Sequence, residues 1–391
     1  MGTKRKFMIV SGEPSGDGHA ANLVRSMREI EPASEFFGAA GPKMRDAGVE
    51  AIVRSDDLSV VGLLEIGSAL PMFLRIFGDL KRAAIQRKPD VVILVDFPEF
   101  NLKLARSLKK KGFRIVYYIS PQLWAWRKYR VSTIKKYVDL MITILPFEKQ
   151  WYAEHGVDRV EYVGNPLARE VRPVLEKPEF CRKHGIDADL PIVSMLPGSR
   201  DKEISRILPV MFETALTILA ERPETQFVIA AANDNGKQKI KSIAEDFNVT
   251  RLIDSTKFKV VLDETYDALN ASDAAAVTSG TATLETALIG TPMAVVYKTS
   301  GINYFLLKPL INVEHYGLVN LISEQRVAVE LIQNDLTPMT LSTELLRLLE
   351  PNENSAMREK LKRSADKLGA GGASMRAAKA IRDLMILPMN Q

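Results

Sequence analysis

Val91-Val92-Ile93-Leu94-Val95-Asp96-Phe97-Pro98-Glu99-Phe100-Asn101 is an apolar, β-rich run that passes directly into a polar turn. An unbroken apolar run of this length reads as a strand buried on both faces. The amphipathic stretch 101–111 follows it, and then a second apolar run at 115–119. Strand, helix and strand at this spacing make a βαβ unit, and so a parallel sheet. Outward from it, residues 7–10, 140–144, 192–195, 227–230, 260–262, 274–277 and 294–297 read as further strands. Helical patterns lie over 20–30, 204–221, 237–247 and 281–289. The alternation runs twice, and a Pro- and charge-rich stretch from Pro166 to Leu190 is the expected hinge. The fold class is α/β, with two Rossmann-like domains over residues 1–170 and 171–350, facing across a cleft. Residues 351–391 read as C-terminal helices, broken at Gly369-Ala370-Gly371-Gly372.

Composition narrows the class. The 391 residues are 46% apolar and 26% charged, a globular balance that excludes disorder and collagen-like repeats. The single cysteine, Cys181, excludes a disulfide scaffold. The first apolar run is too short for a secretory signal, and no run approaches a membrane span. A net charge of +5 suits anionic partners.

Ligands of parallel sheets bind beyond the C-terminal strand ends, which directs attention to the residues just after each strand. Ser11-Gly12-Glu13-Pro14-Ser15-Gly16-Asp17-Gly18-His19 follows the first strand. Its glycines do not have dinucleotide or P-loop spacing. It is either a ligand loop offering Glu13, Ser15, Gly16 and His19, or a plain turn in which Asp17 or Ser15 caps the helix. Asp96 is placed as a general base or as a loop hydrogen-bonder, and Asn101 as a helix cap. Gly198, Ser199 and Arg200, with Glu203 three residues on, offer backbone amides and a guanidinium to a phosphate. Ser279, Gly280 and Thr281 open a helix, where free amides form an anion site. Glu285, one turn inside, suits ribose hydroxyls.

The segment 60–80 differs in kind. Leu70, Met72, Phe73, Leu74 and Phe77 are interrupted by few charges and followed by Lys81 and Arg82. This suits a helix in a membrane interface or around acyl chains, and also an ordinary buried helix. His19, His155, His184 and His315 lack ligand spacing and Asp187-Ala188-Asp189 reads as a turn, so no metal site is expected. Trp124, Trp126 and Tyr129 among basic residues lack any nucleic-acid motif and read as substrate or interface packing.

The ordered segments S-G-E-P-S-G-D at 11–17, D-F-P-E-F-N at 96–101, S-P-Q-L-W-A-W-R at 120–127, L-P-F-E at 145–148, V-G-N-P-L at 163–167, L-P-G-S-R at 196–200, S-G-T-A-T-L-E at 279–285 and N-L at 320–321 resemble the lipid A disaccharide synthase family. Pro14, Gly18-His19, Asn165 and Val319 depart from its usual pattern. The resemblance implies a GT-B glycosyltransferase whose C-terminal helices cross back to the N-terminal domain. It implies transfer of 2,3-diacylglucosamine from UDP-2,3-diacylglucosamine to the 6-hydroxyl of 2,3-diacylglucosamine 1-phosphate (lipid X), giving a β-1,6 disaccharide 1-phosphate and UDP. The configuration inverts, and no metal or other cofactor is implied. Inversion needs a base opposite the leaving group, and Asp96 is the candidate; the resemblance adds Asn320 to the nucleotide pocket and implies a cytoplasmic enzyme held peripherally at the inner membrane, with a homodimer as a family expectation. Rival readings are another UDP-N-acetylglucosamine transferase or 2-epimerase of the same fold, and a non-catalytic UDP-sugar binder.

Overall fold

In a computed structural model, the described residues are 4–55, 66–247, 255–301 and 314–386. Residues 56–65, part of the apolar segment singled out above, lie outside them, as does the side chain of Leu70. The chain divides into two compact units. One comprises Met1–Pro166 with Ala370–Gln391, and the other Leu167–Gly369.

The first unit holds seven strands: β1 (Lys6–Ser11), β2 (Glu35–Ala40), β3 (Glu50–Arg54), β4 (Val91–Val95), β5 (Ile115–Tyr118), β6 (Leu140–Thr143) and β7 (Val160–Tyr162). They order as β3-β2-β1-β4-β5-β6-β7, and every pairing is parallel. The second holds β8 (Ile192–Leu196), β9 (Gln226–Ala231), β10 (Phe258–Leu262), β11 (Ala274–Thr278), β12 (Met293–Tyr297) and β13 (Glu330–Ile332). Their order, β10-β9-β8-β11-β12-β13, is again all parallel. Each sheet reverses its winding beside its first strand, between β1 and β4 and between β8 and β11. A doubly wound sheet presents its ligand-binding crevice at that point.

Strands β2, β3, β7 and β13 were not expected from the sequence. Glu35-Phe36-Phe37-Gly38-Ala39-Ala40 lacks β-branched residues, Glu50–Arg54 is a half-buried edge, and β7 and β13 are three-residue edges. Such strands are specified by their neighbours more than by their own side chains. The stretch expected as a hinge contains two helices, Leu167–Glu170 and Lys177–His184. Phe180 and Cys181 of the latter enter the core of the second unit.

The C-terminal helices part company. Pro351–Asp366 packs in the second unit through Met357 and Leu361. The chain breaks at Gly369–Gly372, and Ala373–Ile386 lies on the helix Pro14–Ile30 of the first unit. Its Ala377, Ala378, Ile381 and Leu384 join Phe7, Ile9 and Val24 in one core layer. The helices Ile66–Arg87, Pro98–Lys109 and Val131–Tyr137 cover the opposite sheet face.

The last helix is therefore part of the first unit's core. Ile381→Ala is expected to cost about 2–5 kcal/mol. In hydrogen exchange the amides of β1 and β4 should lose protection, while those of β8 and β11 keep theirs.

Candidate functional site

Both winding reversals are occupied by residues that the sequence singled out. In the first unit β1 pairs with β4 so that Ser11 faces Val95, which brings the loop from Gly12 beside Asp96. The helix after β1 starts at Pro14, with Glu13 as its N-cap. Glu13 and Ser15 are exposed, Gly16 is buried, and His19 sits in the second turn. Asp17 does not cap its own helix. Its carboxylate accepts from the amides of Lys43 and Met44, at 2.8 and 3.1 Å, and so caps the short helix Pro42–Asp46.

Asp96 follows the last residue of β4. Burial first, and the Glu13 carboxylate second, push its carboxyl up to about 6, against a bond from the Phe97 amide. A carboxylate of that basicity is matched to taking a proton near neutral pH. Asn101 is not a cap. It lies inside the helix Pro98–Lys109, and its amide donates back to the carbonyls of Asp96 and Val95. Glu99 receives Arg130 through both carboxylate oxygens, at 2.7 Å each, and Arg127 as well. This ion-pair cluster ties the turn after β4 to the segment after β5.

Glu148, absent from the sequence-derived site, joins the two aromatic motifs. It is buried at the start of the helix Glu148–Glu154 and accepts from Trp124 Nε1 at 3.2 Å and from the amide of Leu145 at 3.0 Å. Burial pushes its carboxyl up to about 7, opposed by the Leu145 amide, the Trp124 indole, the Ile144 amide and the Ser120 hydroxyl. Trp124 also meets Phe147 edge-on, with ring centroids 5.1 Å apart. The only sequence signal for this was the co-occurrence of S-P-Q-L-W-A-W-R with L-P-F-E.

Around Asp96 the apolar residues form an aromatic cluster. Phe97 and Phe100 lie 5.7 Å apart, Phe73 stacks on Phe97 at 6.4 Å, and Phe77 meets Phe100 edge-on at 5.8 Å. Met72, Phe73 and Phe77 are half-buried, whereas Leu74 is 65% exposed.

In the second unit Thr278 Oγ1 donates to the Leu196 carbonyl at 2.8 Å and ties the end of β11 to the end of β8. Gly198 and Gly280 both have left-handed backbone, at φ 109° and 140°, which lets each strand turn sharply into its helix. The amides of Ser199 and Arg200, expected to face a phosphate, point to Glu203 Oε2 at 3.3 and 3.4 Å. The Arg200 guanidinium is 80% exposed and sits 2.8 Å from Glu203. Gly280 is the N-cap of the helix Thr281–Ile289 with no side-chain cap, and its carbonyl accepts from the Thr283 amide at 3.1 Å, so the open amides of a helix start lie at Thr281 and Ala282. The Ser279 hydroxyl donates to the Tyr316 carbonyl at 2.7 Å. Glu285 accepts from the Tyr266 hydroxyl at 3.0 Å, and burial pushes its carboxyl up. Both line a cavity of about 350 Å³ with Arg172, Asp263 and Glu264.

Asn320, expected in the nucleotide pocket, is fully buried, and its carboxamide is engaged at every position. It donates to the Ala328 carbonyl and to Glu330, both at 2.8 Å, and accepts from the amides of Val327 and Ala328. Glu330 in turn holds the amides of Tyr316 and Gly317 at 2.9 Å, so Asn320 shapes the loop that Ser279 leans on.

Asp96 has a folded-state value above the 3.8 of an ordinary aspartate. Its contribution to stability is therefore present below pH 4 and lost as pH rises through 6. Asp96→Asn is expected to raise unfolding stability at pH 8 by about 2–3 kcal/mol and to change it little at pH 4. Thermal unfolding at both pH values checks this.

A family model described as lipid-A-disaccharide synthetase matches residues 7–383. The lipid-A-disaccharide synthase of Syntrophus aciditrophicus (strain SB) is 44% identical over 373 residues, covering 95% of each chain. Among solved structures, a putative UDP-N-acetylglucosamine 2-epimerase from Listeria monocytogenes superposes with a TM-score of 0.65 at 17% identity, covering 97% of this chain and 96% of its own. The calicheamicin glycosyltransferase CalG4 does so with a TM-score of 0.62 at 17% identity, covering 99% of this chain and all of its own. At that identity the two structures speak for the fold alone.

Proposed function

The chain belongs to the lipid-A-disaccharide synthase family, and on that premise we propose which of its residues carry out the transfer. It is a glycosyltransferase that forms the lipid A disaccharide, moving 2,3-diacylglucosamine from UDP-2,3-diacylglucosamine to the 6-hydroxyl of lipid X.

One observation supports the assignment of roles above others. Asp96 stands at the end of β4, at the winding reversal, half-buried and with its carboxyl pushed up to about 6. Asp96 takes the proton from the acceptor 6-hydroxyl. The oxygen forms a bond to the anomeric carbon, while the bond from that carbon to the diphosphate oxygen breaks and its electron pair leaves with UDP. Attack opposite the leaving group converts an α-linked donor into a β-linked product. The transition state carries positive charge on the sugar ring and growing negative charge on the diphosphate.

Arg200 and the first-turn amides at Thr281 receive that negative charge. Arg200 is held beside Glu203 and is exposed, so it exchanges one anionic partner for another when the diphosphate arrives. Glu285, in the cavity with Tyr266, accepts from ribose hydroxyls. Glu13, Ser15, Gly16 and His19 line the acceptor side of Asp96.

The lipid character of both substrates accounts for the apolar stretch. Phe73 and Phe77, packed on Phe97 and Phe100 beside Asp96, seat acyl chains, and exposed Leu74 enters the inner leaflet. From Pro98 to Val138 the chain carries eleven lysines and arginines against one glutamate, a charge suited to anionic lipid. No helix among the described residues is long and apolar enough to cross a membrane. We read the attachment as peripheral, on the cytoplasmic side.

Three outcomes are expected. Purified protein converts UDP-2,3-diacylglucosamine and lipid X to the disaccharide 1-phosphate and leaves UDP-N-acetylglucosamine unused; use of the unacylated donor alone would favour another sugar-nucleotide enzyme. Arg200→Ala weakens UDP binding by about 1.5–3 kcal/mol in calorimetry, the scale of a charged hydrogen bond. Leu74→Ser, at an exposed position, lowers partition onto anionic phospholipid vesicles without lowering the unfolding midpoint.

A further inference from the structure

Asp96 and Phe97 stand one after the other in the left-handed region, at φ 48° and 49°. Neither is a glycine. Such a pair persists only where the surroundings over-determine it. Three features do so here. Tyr117, fully buried on β5, donates its hydroxyl to the Asp96 carbonyl oxygen at 2.7 Å. Asn101 donates Nδ2 to the same oxygen at 2.8 Å, and to the Val95 carbonyl at 3.2 Å. Gly12, just past β1, leaves the room that the Phe97 ring fills. A Cβ there would stand 2.4 Å from Phe97 Cδ1.

The Asp96 carbonyl thus has both lone pairs engaged by side chains. That fixes the peptide joining Asp96 to Phe97, and with it the direction in which the Asp96 side chain leaves the backbone. Neither bond belongs to the sheet, since β4 ends at Val95. Nor does packing call for a phenol at this position. Phenylalanine would fill the same core volume, and a buried hydroxyl is retained only where it finds a partner. The partner here is the main chain of the proposed base.

We propose that Tyr117 and Asn101 are positioning residues of the transfer, holding through the Asp96 carbonyl the left-handed turn that aims the Asp96 carboxylate at the acceptor hydroxyl. The proposal rests on the reading of Asp96 as the base. Neither side chain touches substrate. Each acts only through where it puts the carboxylate.

The test is a double-mutant cycle on the full chain, with UDP-2,3-diacylglucosamine and lipid X as substrates. Tyr117→Phe is expected to lower kcat about 10-fold, with the KM of both substrates within twofold of wild type. Asp96→Asn should lower kcat further. In the Asp96→Asn background, Tyr117→Phe should cost nothing more, because there is no base left to misaim. A residue that merely supports the fold would lose the same factor in both backgrounds, and that result overturns the proposal, as does wild-type kcat for Tyr117→Phe. Full activity of Asp96→Asn alone would remove the base reading, and the positioning role with it. Asn101→Ala is the second variant. It should show the same fall in kcat and the same loss of effect on Asp96→Asn, and it carries the test if Tyr117→Phe yields no folded protein.

Discussion

A doubly wound parallel sheet opens a crevice between two loops where its winding reverses, and Asp96, Arg200 and Thr281 all stand at such points. β1 has β2 on one side and β4 on the other, so its loop and that of β4 leave the sheet side by side with no crossover between them. β8 and β11 repeat the arrangement. The loop from Gly12 lies beside Asp96 at one reversal, and Gly198–Arg200 lies beside Ser279–Thr281 at the other. Thr278 fastens the second pair directly, through its bond to the Leu196 carbonyl.

The constraint also explains why carboxylates with raised basicity recur at strand ends. Asp96, Glu148 and Glu285 all lie just beyond a strand, on helices or turns that the sheet buries. Burial raises each, and their partners distinguish them. Glu148 is ringed by two backbone amides and an indole, which is the surrounding of a residue that organises loops. Glu285 has a single phenol and opens into a cavity. The charge that acts on Asp96 is of like sign, that of Glu13. An opposing charge would have made it a poorer base.

Much of this was legible in the sequence because a parallel core strand carries its own signature. Val91–Val95 is apolar throughout and Ile192–Leu196 is apolar but for Ser194, and the turn after each is polar. Edge strands such as Val160–Tyr162 and Glu330–Ile332 have too few residues to show a period. The residues around the site that sequence reading missed share one feature, which is that they act on other protein groups. Glu148 holds an indole and Glu330 holds a loop, while Glu203, noted beside Arg200, holds two amides. Nothing local distinguishes such an acid from a surface one, because its partners are distant in sequence or belong to the main chain. Asn320 shows the converse. A residue that the family pattern places in the nucleotide pocket is, in the folded chain, spent on Ala328 and Glu330.

How Asp96 is held fits what a base, the role proposed for it, must keep. A carboxylate steadied by side-chain donors would be fixed in place, but each bond to its oxygens would stabilise the ionised form and lower its basicity. Tyr117 and Asn101 grip the carbonyl oxygen instead. The main chain carries the restraint, and neither bond draws on the carboxylate's own lone pairs. The cost appears elsewhere, as two consecutive residues in left-handed backbone and a glycine required at position 12. Geometry and basicity are thereby set by separate groups, so that orienting the proposed base does not weaken it.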